Sequence, residues 1–139
     1  MMDEKRLLQD LSEEMIRDWE ILPTGSGFVI VSDWRWPNND RIEVVVRNVG
    51  EREDLFLVSD GGELFNFFFA QGVDISGNEE ATRQLEEIAA RHGAKLVDFQ
   101  MAKGAGENDL LHAIRSMVEA IKEGAFLFWM SKGRGSQLH

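Results

Sequence analysis

The sequence predicts a single-domain α+β protein. The predicted elements segregate along the chain as a helix, three strands, two helices, a strand and a helix, whereas a parallel α/β fold would alternate strands with helices. The 139 residues suit one domain and suffice for a core without disulfides. We therefore expect one domain over residues 1–130 and a flexible polar tail over 131–139.

The first predicted element is an amphipathic helix over residues 4–18. Its apolar side chains recur at helical spacing and form one stripe, closed by Trp19. The stripe consists of Leu7, Leu8, Leu11, Met15 and Ile16. Pro23, Gly25 and Gly27 then interrupt regular structure.

Three predicted strands follow. The run FVIVSDW from Phe28 is rich in β-branched residues, residues 41–48 alternate apolar and polar side chains, and residues 55–59 read LFLVS. Because short polar turns link them, the three strands are expected to form an antiparallel meander.

The second half contains two more helices and one strand between them. Asn78 is the predicted cap of a helix that ends at Gly93, and residues 94–101 form the predicted strand. The run KGAGE then reads as a flexible loop. Asn108 is expected to cap a last helix that stops at Gly124.

The turn before the short phenylalanine-rich helix has two structural interpretations. Asp60 and Glu63 have the spacing of a capping box, in which each side chain accepts from the other residue's amide. A hairpin at Asp60-Gly61 is the competing interpretation. Gly72 is expected to end this helix in a left-handed conformation, with Val73 as the apolar contact that follows.

The helix after that turn carries rings on nearly all of its sides. Its large apolar residues are Leu64, Phe65, Phe67, Phe68 and Phe69. A helix of this kind is either central to the fold or partly covered by another molecule.

Charge and composition exclude several classes of function. Fifteen basic and 25 acidic residues leave a net charge of −10, which repels phosphate backbones, so nucleic-acid binding is not expected. The absence of cysteine excludes disulfides, thiolate metal sites and a cysteine nucleophile. No signal peptide and no membrane-spanning run is evident, so we expect a cytoplasmic protein.

Four short motifs resemble a bacterial and phage-associated family, domain of unknown function 1828, over about residues 20–123. They are Asn39-Asp40-Arg41-Ile42, Ser59-Asp60-Gly61-Gly62, Gly72-Val73-Asp74-Ile75 and residues 108–114. Gly61 departs from the pattern, which more often has a second acid there. The resemblance implies a setting linked to mobile elements or defence, and no activity.

One enzymatic alternative is a metal-dependent nuclease or hydrolase that uses Asp40, Asp60 and Glu63. The order of elements is similar to that of restriction-endonuclease-like nucleases. Their Glu-x-Lys pattern is missing, however, since Lys95 lies on a later predicted strand. His92, His112 and His139 have no partner at metal-ligand spacing. We therefore predict no catalytic residue, metal ligand or cofactor outside this alternative.

The preferred hypothesis is a non-enzymatic protein-interaction module that binds another protein or itself. Large apolar residues beyond Gly124 favour a homodimer, and a final strand packed within the domain explains them almost as well. A further alternative is an acidic dimer that resembles an export chaperone. The candidate binding residues are Trp34, Trp36, Asp40, Asp60, Glu63, Phe126, Phe128 and Trp129.

Overall fold

The computed structural model describes residues 19–36, 39–75 and 77–138, with side chains as far as Leu127 except at residue 53. These residues form one six-stranded antiparallel sheet and three α-helices, which confirms the α+β class. The helix predicted over residues 4–18 lies outside the described residues.

The sheet has the strand order β1-β2-β3-β4-β6-β5. The strands are β1 (Glu20–Pro23), β2 (Gly27–Arg35), β3 (Arg41–Val49), β4 (Arg52–Ser59), β5 (Lys95–Val97) and β6 (Gln100–Gly106). Strands β2 to β4 are the predicted meander, and β1 extends it to four strands. The sequence did not predict β1, because a short run that ends in Pro23 is tolerated only at a sheet edge.

The helices cover one face of this sheet. They are α1 (Glu63–Ala70), α2 (Glu79–Arg91) and α3 (Leu110–Leu138), and a 3₁₀ turn at Glu107–Asp109 precedes α3. Helix α3 contacts β3, β4 and β6 and also packs on α1 and α2. Along β3, Ile42, Val44 and Val46 are buried in alternation with more exposed residues, so one side of the strand meets the helices.

The ends of α1 and α2 follow from the predicted glycines. Gly72 and Gly93 adopt φ values of 83° and 72°, and each directly follows the C-cap residue, Gln71 or His92, of a helix that ends in a Schellman motif. At the other end of α2, the Asn78 side chain accepts a hydrogen bond from the amide of Ala81 at 3.0 Å. These three predictions are confirmed.

The predicted strand over residues 94–101 is wrong in detail, because it folds back on itself. Asp98 and Phe99 both have positive φ and form a two-residue turn between β5 and β6. All but the last residue of the KGAGE segment belong to a strand rather than a loop, since Ala102 to Gly106 pair with Ser59 to Leu55 of β4. This segment is rich in glycine and alanine, so its sequence lacks the alternation of apolar and polar residues by which a strand is usually recognised.

The last helix differs most from the prediction. Asn108 lies in the 3₁₀ turn, and α3 starts at Leu110 and passes Gly124 without ending. The final strand considered for residues 126–129 is therefore wrong, and residues 131–138, expected as a polar tail, are helical. Gly124 faces the core: a Cβ atom there would lie 2.6 Å from Cδ2 of Leu64.

Candidate functional site

Asp60 holds together the turn that leads from β4 into α1. Its side chain is fully buried, and Oδ1 accepts from the amides of Gly62 and Met101, both at 3.0 Å. Oδ2 accepts from the amide of Leu64 at 3.3 Å. Burial raises the pKa of Asp60, and these amide hydrogen bonds oppose the rise. The carboxylate therefore joins the start of α1 to strand β6.

This geometry corrects the predicted capping box. Residue Gly62, with a φ of 80°, occupies the N-cap position, and its lack of a side chain leaves the capping to Asp60 two residues earlier. The Glu63 amide donates to the backbone oxygen of Asp60 at 3.1 Å rather than to its side chain. The alternative hairpin at Asp60-Gly61 is wrong, because a helix follows this turn.

A cleft of about 560 Å³ lies between α1 and the β2–β3 turn, and it brings together three of the predicted residues. We call it the acidic cleft and define it by Asp40, Glu43 and Glu63, with Trp36 and Phe67 as its aromatic wall. Partial burial raises the pKa of Glu63, and the charges of Glu43, Asp60 and Asp40 raise it further.

Sequence reasoning missed Glu43, although the signal was present. Glu43 lies between the buried residues Ile42 and Val44, on the opposite face of the strand that starts directly after Asp40.

Two arginines also line the cleft, and both donate hydrogen bonds to backbone carbonyls. Arg35 donates to Asn39 at 2.8 Å, and Arg41 donates to Ser32 at 2.6 Å.

The two candidate tryptophans separate into different environments. Trp36 is only 5% exposed and stacks on Phe67 with ring centroids 4.9 Å apart, so it packs as part of the core. Trp34 is half-exposed and lies outside the cleft lining. The ammonium group of Lys122 sits 3.3 Å from its ring centroid, a cation–π contact that joins β2 to α3.

The acids do not assemble into a metal site. Among residues 19–36, 39–75 and 77–138, no group of three or more His, Asp or Glu side chains is arranged to hold a metal ion. Asp60 in particular directs both oxygens at backbone amides. His92 instead contacts Glu123, with Nε2 to Oε1 at 2.7 Å, at the end of α2.

A second surface lies on the other side of α1. We call it the aromatic patch and define it by Phe65, Phe69 and Phe99. Phe69 is 74% exposed and Phe99 is 61% exposed, and the rings of Phe65 and Phe99 meet edge to face with centroids 5.4 Å apart. A shallow groove of about 190 Å³ runs between these rings and the segment that follows α1. The phenylalanines of α1 therefore divide between core and surface, since Phe67 and Phe68 are buried.

Phe99 combines exposure with an unfavourable backbone conformation. Its φ is 63° at the second position of the β5–β6 turn, where glycine is the preferred residue. No sequence signal indicated this role, because the alternation of residues 94–101 placed Phe99 inside a strand.

A third apolar surface lies between α2 and α3. Ile88, Phe126 and Leu127 line a groove of about 350 Å³, and Phe126 is 64% exposed. Two ion pairs flank it, Arg91–Glu123 at 2.7 Å and Lys122–Glu119 at 3.2 Å. The side chains of the other candidate residues here, Phe128 and Trp129, lie outside the described part of the chain.

Comparisons with known proteins support the fold alone. The chain matches no protein-family model and no curated protein. An uncharacterized protein from Methanothermobacter thermautotrophicus has a similar solved structure, with 11% sequence identity and a TM-score of 0.52. The match covers 93% of this chain and 98% of that one. Membership of domain of unknown function 1828 stays a prediction. Within the described residues, no helix is long and apolar enough to cross a membrane.

Proposed function

We propose that this chain is a non-enzymatic protein-interaction module whose contact surface is the aromatic patch. The observation that carries the proposal is Phe99, a bulky residue that has a positive φ and is 61% exposed. Left-handed backbone costs an L-residue about 1–2 kcal/mol, and residues held this way cluster at functional sites.

Folding alone gives little reason for a phenylalanine at this position. Glycine or asparagine would form the same turn with less strain, and among the described residues the Phe99 ring pairs with the ring of Phe65, edge to face. Phe69 adds a second large exposed ring on the adjacent helix. Clustered exposed rings are typical of surfaces that bind other proteins. A partner that covers Phe69 and Phe99 would bury the two side chains that the fold leaves exposed.

The metal-dependent hydrolase is less well supported. Asp60 is fully engaged by three amides, and the acids of the cleft do not form a three-ligand group within the described residues. A melting temperature that rises on titration with Mg²⁺ would favour that alternative, because a bound ion stabilises the folded state by mass action.

The proposed cellular location and biological context of the interaction rest mainly on the sequence. A cytoplasmic location is supported by the lack of cysteine and by the absence, among the described residues, of a helix able to span a membrane. An export-chaperone-like role is a special case of the same proposal, in which the partner is an unfolded protein. The link to mobile elements or defence rests on the family resemblance alone.

Two substitutions in one turn test the proposal. We expect Phe99→Gly to change the free energy of unfolding by no more than about 1 kcal/mol, because relief of strain offsets the loss of the ring contact. It should nevertheless abolish capture of partner proteins by the tagged chain in its producing organism. The matched control is Asp98→Gly, which relaxes the neighbouring residue, with a φ of 50°, and leaves the aromatic patch intact.

The comparison between the two variants decides the outcome. Quantitative mass spectrometry should find the same captured proteins with the wild type and Asp98→Gly, and their loss with Phe99→Gly. Equal capture by both variants, or no capture above background by the wild type, would contradict the proposed function.

We also propose that two copies associate through the groove lined by Ile88, Phe126 and Leu127. The flanking ion pairs give the groove a balanced charge, so two copies of a chain with a net charge of −10 can approach there. We expect Phe126→Glu to convert a dimer to a monomer in light scattering while the circular dichroism spectrum stays that of the folded chain, since Phe126 is exposed. A monomer mass for the wild type at all concentrations would rule out this dimer.

A further inference from the structure

Trp36 brings an unpaired hydrogen-bond donor to the acidic cleft. The residue is buried and lines the cleft, but its indole N–H donates no hydrogen bond to any residue that the structure describes. No fully buried side-chain nitrogen among these residues lacks a partner, so this nitrogen reaches solvent. A buried tryptophan ordinarily pairs its N–H with an acceptor of the protein. Within the described chain Trp36 lacks that acceptor, and a molecule held in the cleft can supply it.

The same cleft contains acceptors that the protein leaves unused. Glu43 and Glu63 are exposed, and neither carboxylate forms a hydrogen bond or an ion pair with a described residue. Asn66 adds an exposed amide, which can both donate and accept. The cleft therefore offers a donor from Trp36 and acceptors from the two glutamates to one bound molecule.

The charges of the cleft favour a neutral occupant. Arg35 and Arg41 line it together with the three acids that define it. Arg35 donates to the backbone carbonyl of Asn39, a bond that leaves the positive charge of its guanidinium in place. An anion would meet the acids and a cation would meet the arginines, so an ion of either sign loses part of its attraction. A neutral molecule avoids both repulsions.

The aromatic wall of the cleft does not favour a flat or apolar occupant. Trp36 and Phe67 are both buried, and their rings stack with centroids 4.9 Å apart. Because the rings cover each other and are otherwise buried, neither presents an open face on which another ring could stack. Hydrogen bonding therefore has to hold the occupant of this cleft.

We infer that the acidic cleft binds a neutral molecule rich in hydroxyl groups, of the class of small sugars. A hydroxyl group both donates and accepts, so neighbouring hydroxyls can donate to Glu43 and Glu63 and accept from the Trp36 N–H. The volume of the cleft, about 560 Å³, lies within the range of small-molecule sites, about 300–1,000 Å³. These residues are not those that define the aromatic patch, so the site adds a second function to the proposed one.

Nuclear magnetic resonance of the four tryptophan side chains tests this inference. In the ¹⁵N-labelled wild type each indole N–H gives its own signal, and triple-resonance experiments assign them. The probes are glucose, galactose and mannose, each added up to about 50 mM and each paired with its amino sugar, a cation, and its uronic acid, an anion. We expect at least one neutral sugar to shift the Trp36 signal saturably, while the signal of Trp34, which lies outside the cleft lining, stays in place.

The charged derivatives and two double variants locate the effect. The amino sugar and the uronic acid should each bind at least about threefold more weakly than the neutral sugar that binds. Glu43→Ala/Glu63→Ala removes two acceptors and should weaken that sugar about threefold to tenfold. The control Glu51→Ala/Glu86→Ala changes exposed residues elsewhere and should leave the affinity within about twofold. Circular dichroism should show that both variants are folded, because all four residues are exposed.

Four results would overturn the inference. The first is the lack of a saturable Trp36 shift with all three neutral sugars, which would leave water as the occupant of the cleft. The second is an equal shift of all four tryptophan signals. The third is a charged derivative that binds as tightly as the neutral sugar, and the fourth is equal weakening by the two double variants.

Discussion

Replacing Asp60 with alanine is expected to lower the free energy of unfolding by about 2–4 kcal/mol. The buried carboxylate accepts hydrogen bonds from the amides of Gly62, Leu64 and Met101, and alanine would leave all three donors without this acceptor. The loss exceeds that of an ordinary exposed helix cap, about 0.5–2 kcal/mol, because the Met101 amide belongs to a different strand. Urea denaturation followed by circular dichroism measures it.

Asp60→Asn is the graded control for this prediction. Its amide oxygen can still accept from Gly62 and Met101, but its NH₂ group would face the amide of Leu64, so we expect an intermediate loss. Unchanged stability in Asp60→Ala, combined with loss of partner binding, would contradict the structural role and favour Asp60 as a ligand-binding acid.

Gly124→Val is expected to destabilise the protein by about 1–3 kcal/mol, the cost of overpacking a core. A Cβ atom at this position would lie 2.6 Å from Cδ2 of Leu64 and 3.4 Å from Cδ2 of Leu85. Leu64 and Leu85 are fully buried, so neither can move aside into solvent. The helix passes this point only because residue 124 has no side chain. Thermal or urea unfolding measures the change.

A second substitution tests whether Leu64 is the obstacle. Leu64→Ala alone should cost about 2–5 kcal/mol through the cavity that it leaves. In the double variant the valine occupies part of that cavity, so the combined loss should fall short of the sum by about 1 kcal/mol or more. Strict additivity would show that α3 does not pack against Leu64 at Gly124.

The sequence predicted those parts of the fold that depend on local chemistry. Alternation along residues 41–48 identified β3, and Gly72, Asn78 and Gly93 marked helix ends, because each of these signals reflects a nearby backbone requirement. Strand β6 escaped prediction, since its small residues become a strand only by pairing with β4. The prediction that the last helix stops at Gly124 was wrong for a related reason. A glycine is needed there because the helix packs closely on Leu64, and not because the helix ends.

The candidate site was predicted in the same uneven way. Trp36, Asp40 and Glu63 do line one cleft, although Trp36 packs against Phe67. Asp60 does not line the cleft, and its carboxylate accepts a hydrogen bond from the backbone amide of Leu64. Phe99 could not be identified, because its importance arises from the turn between β5 and β6 and from its contact with Phe65. Roles created by contacts between distant segments leave no local pattern in the sequence.

Site-specific photo-crosslinking in the producing organism tests the central claim most directly. A photoreactive phenylalanine analogue at position 99 would place the reactive group within the aromatic patch, and the same analogue at position 86, an exposed position on α2, serves as the control. The account predicts discrete covalent adducts with other polypeptides from position 99 and none from position 86. No adduct from position 99, or the same adducts from both positions, would contradict it.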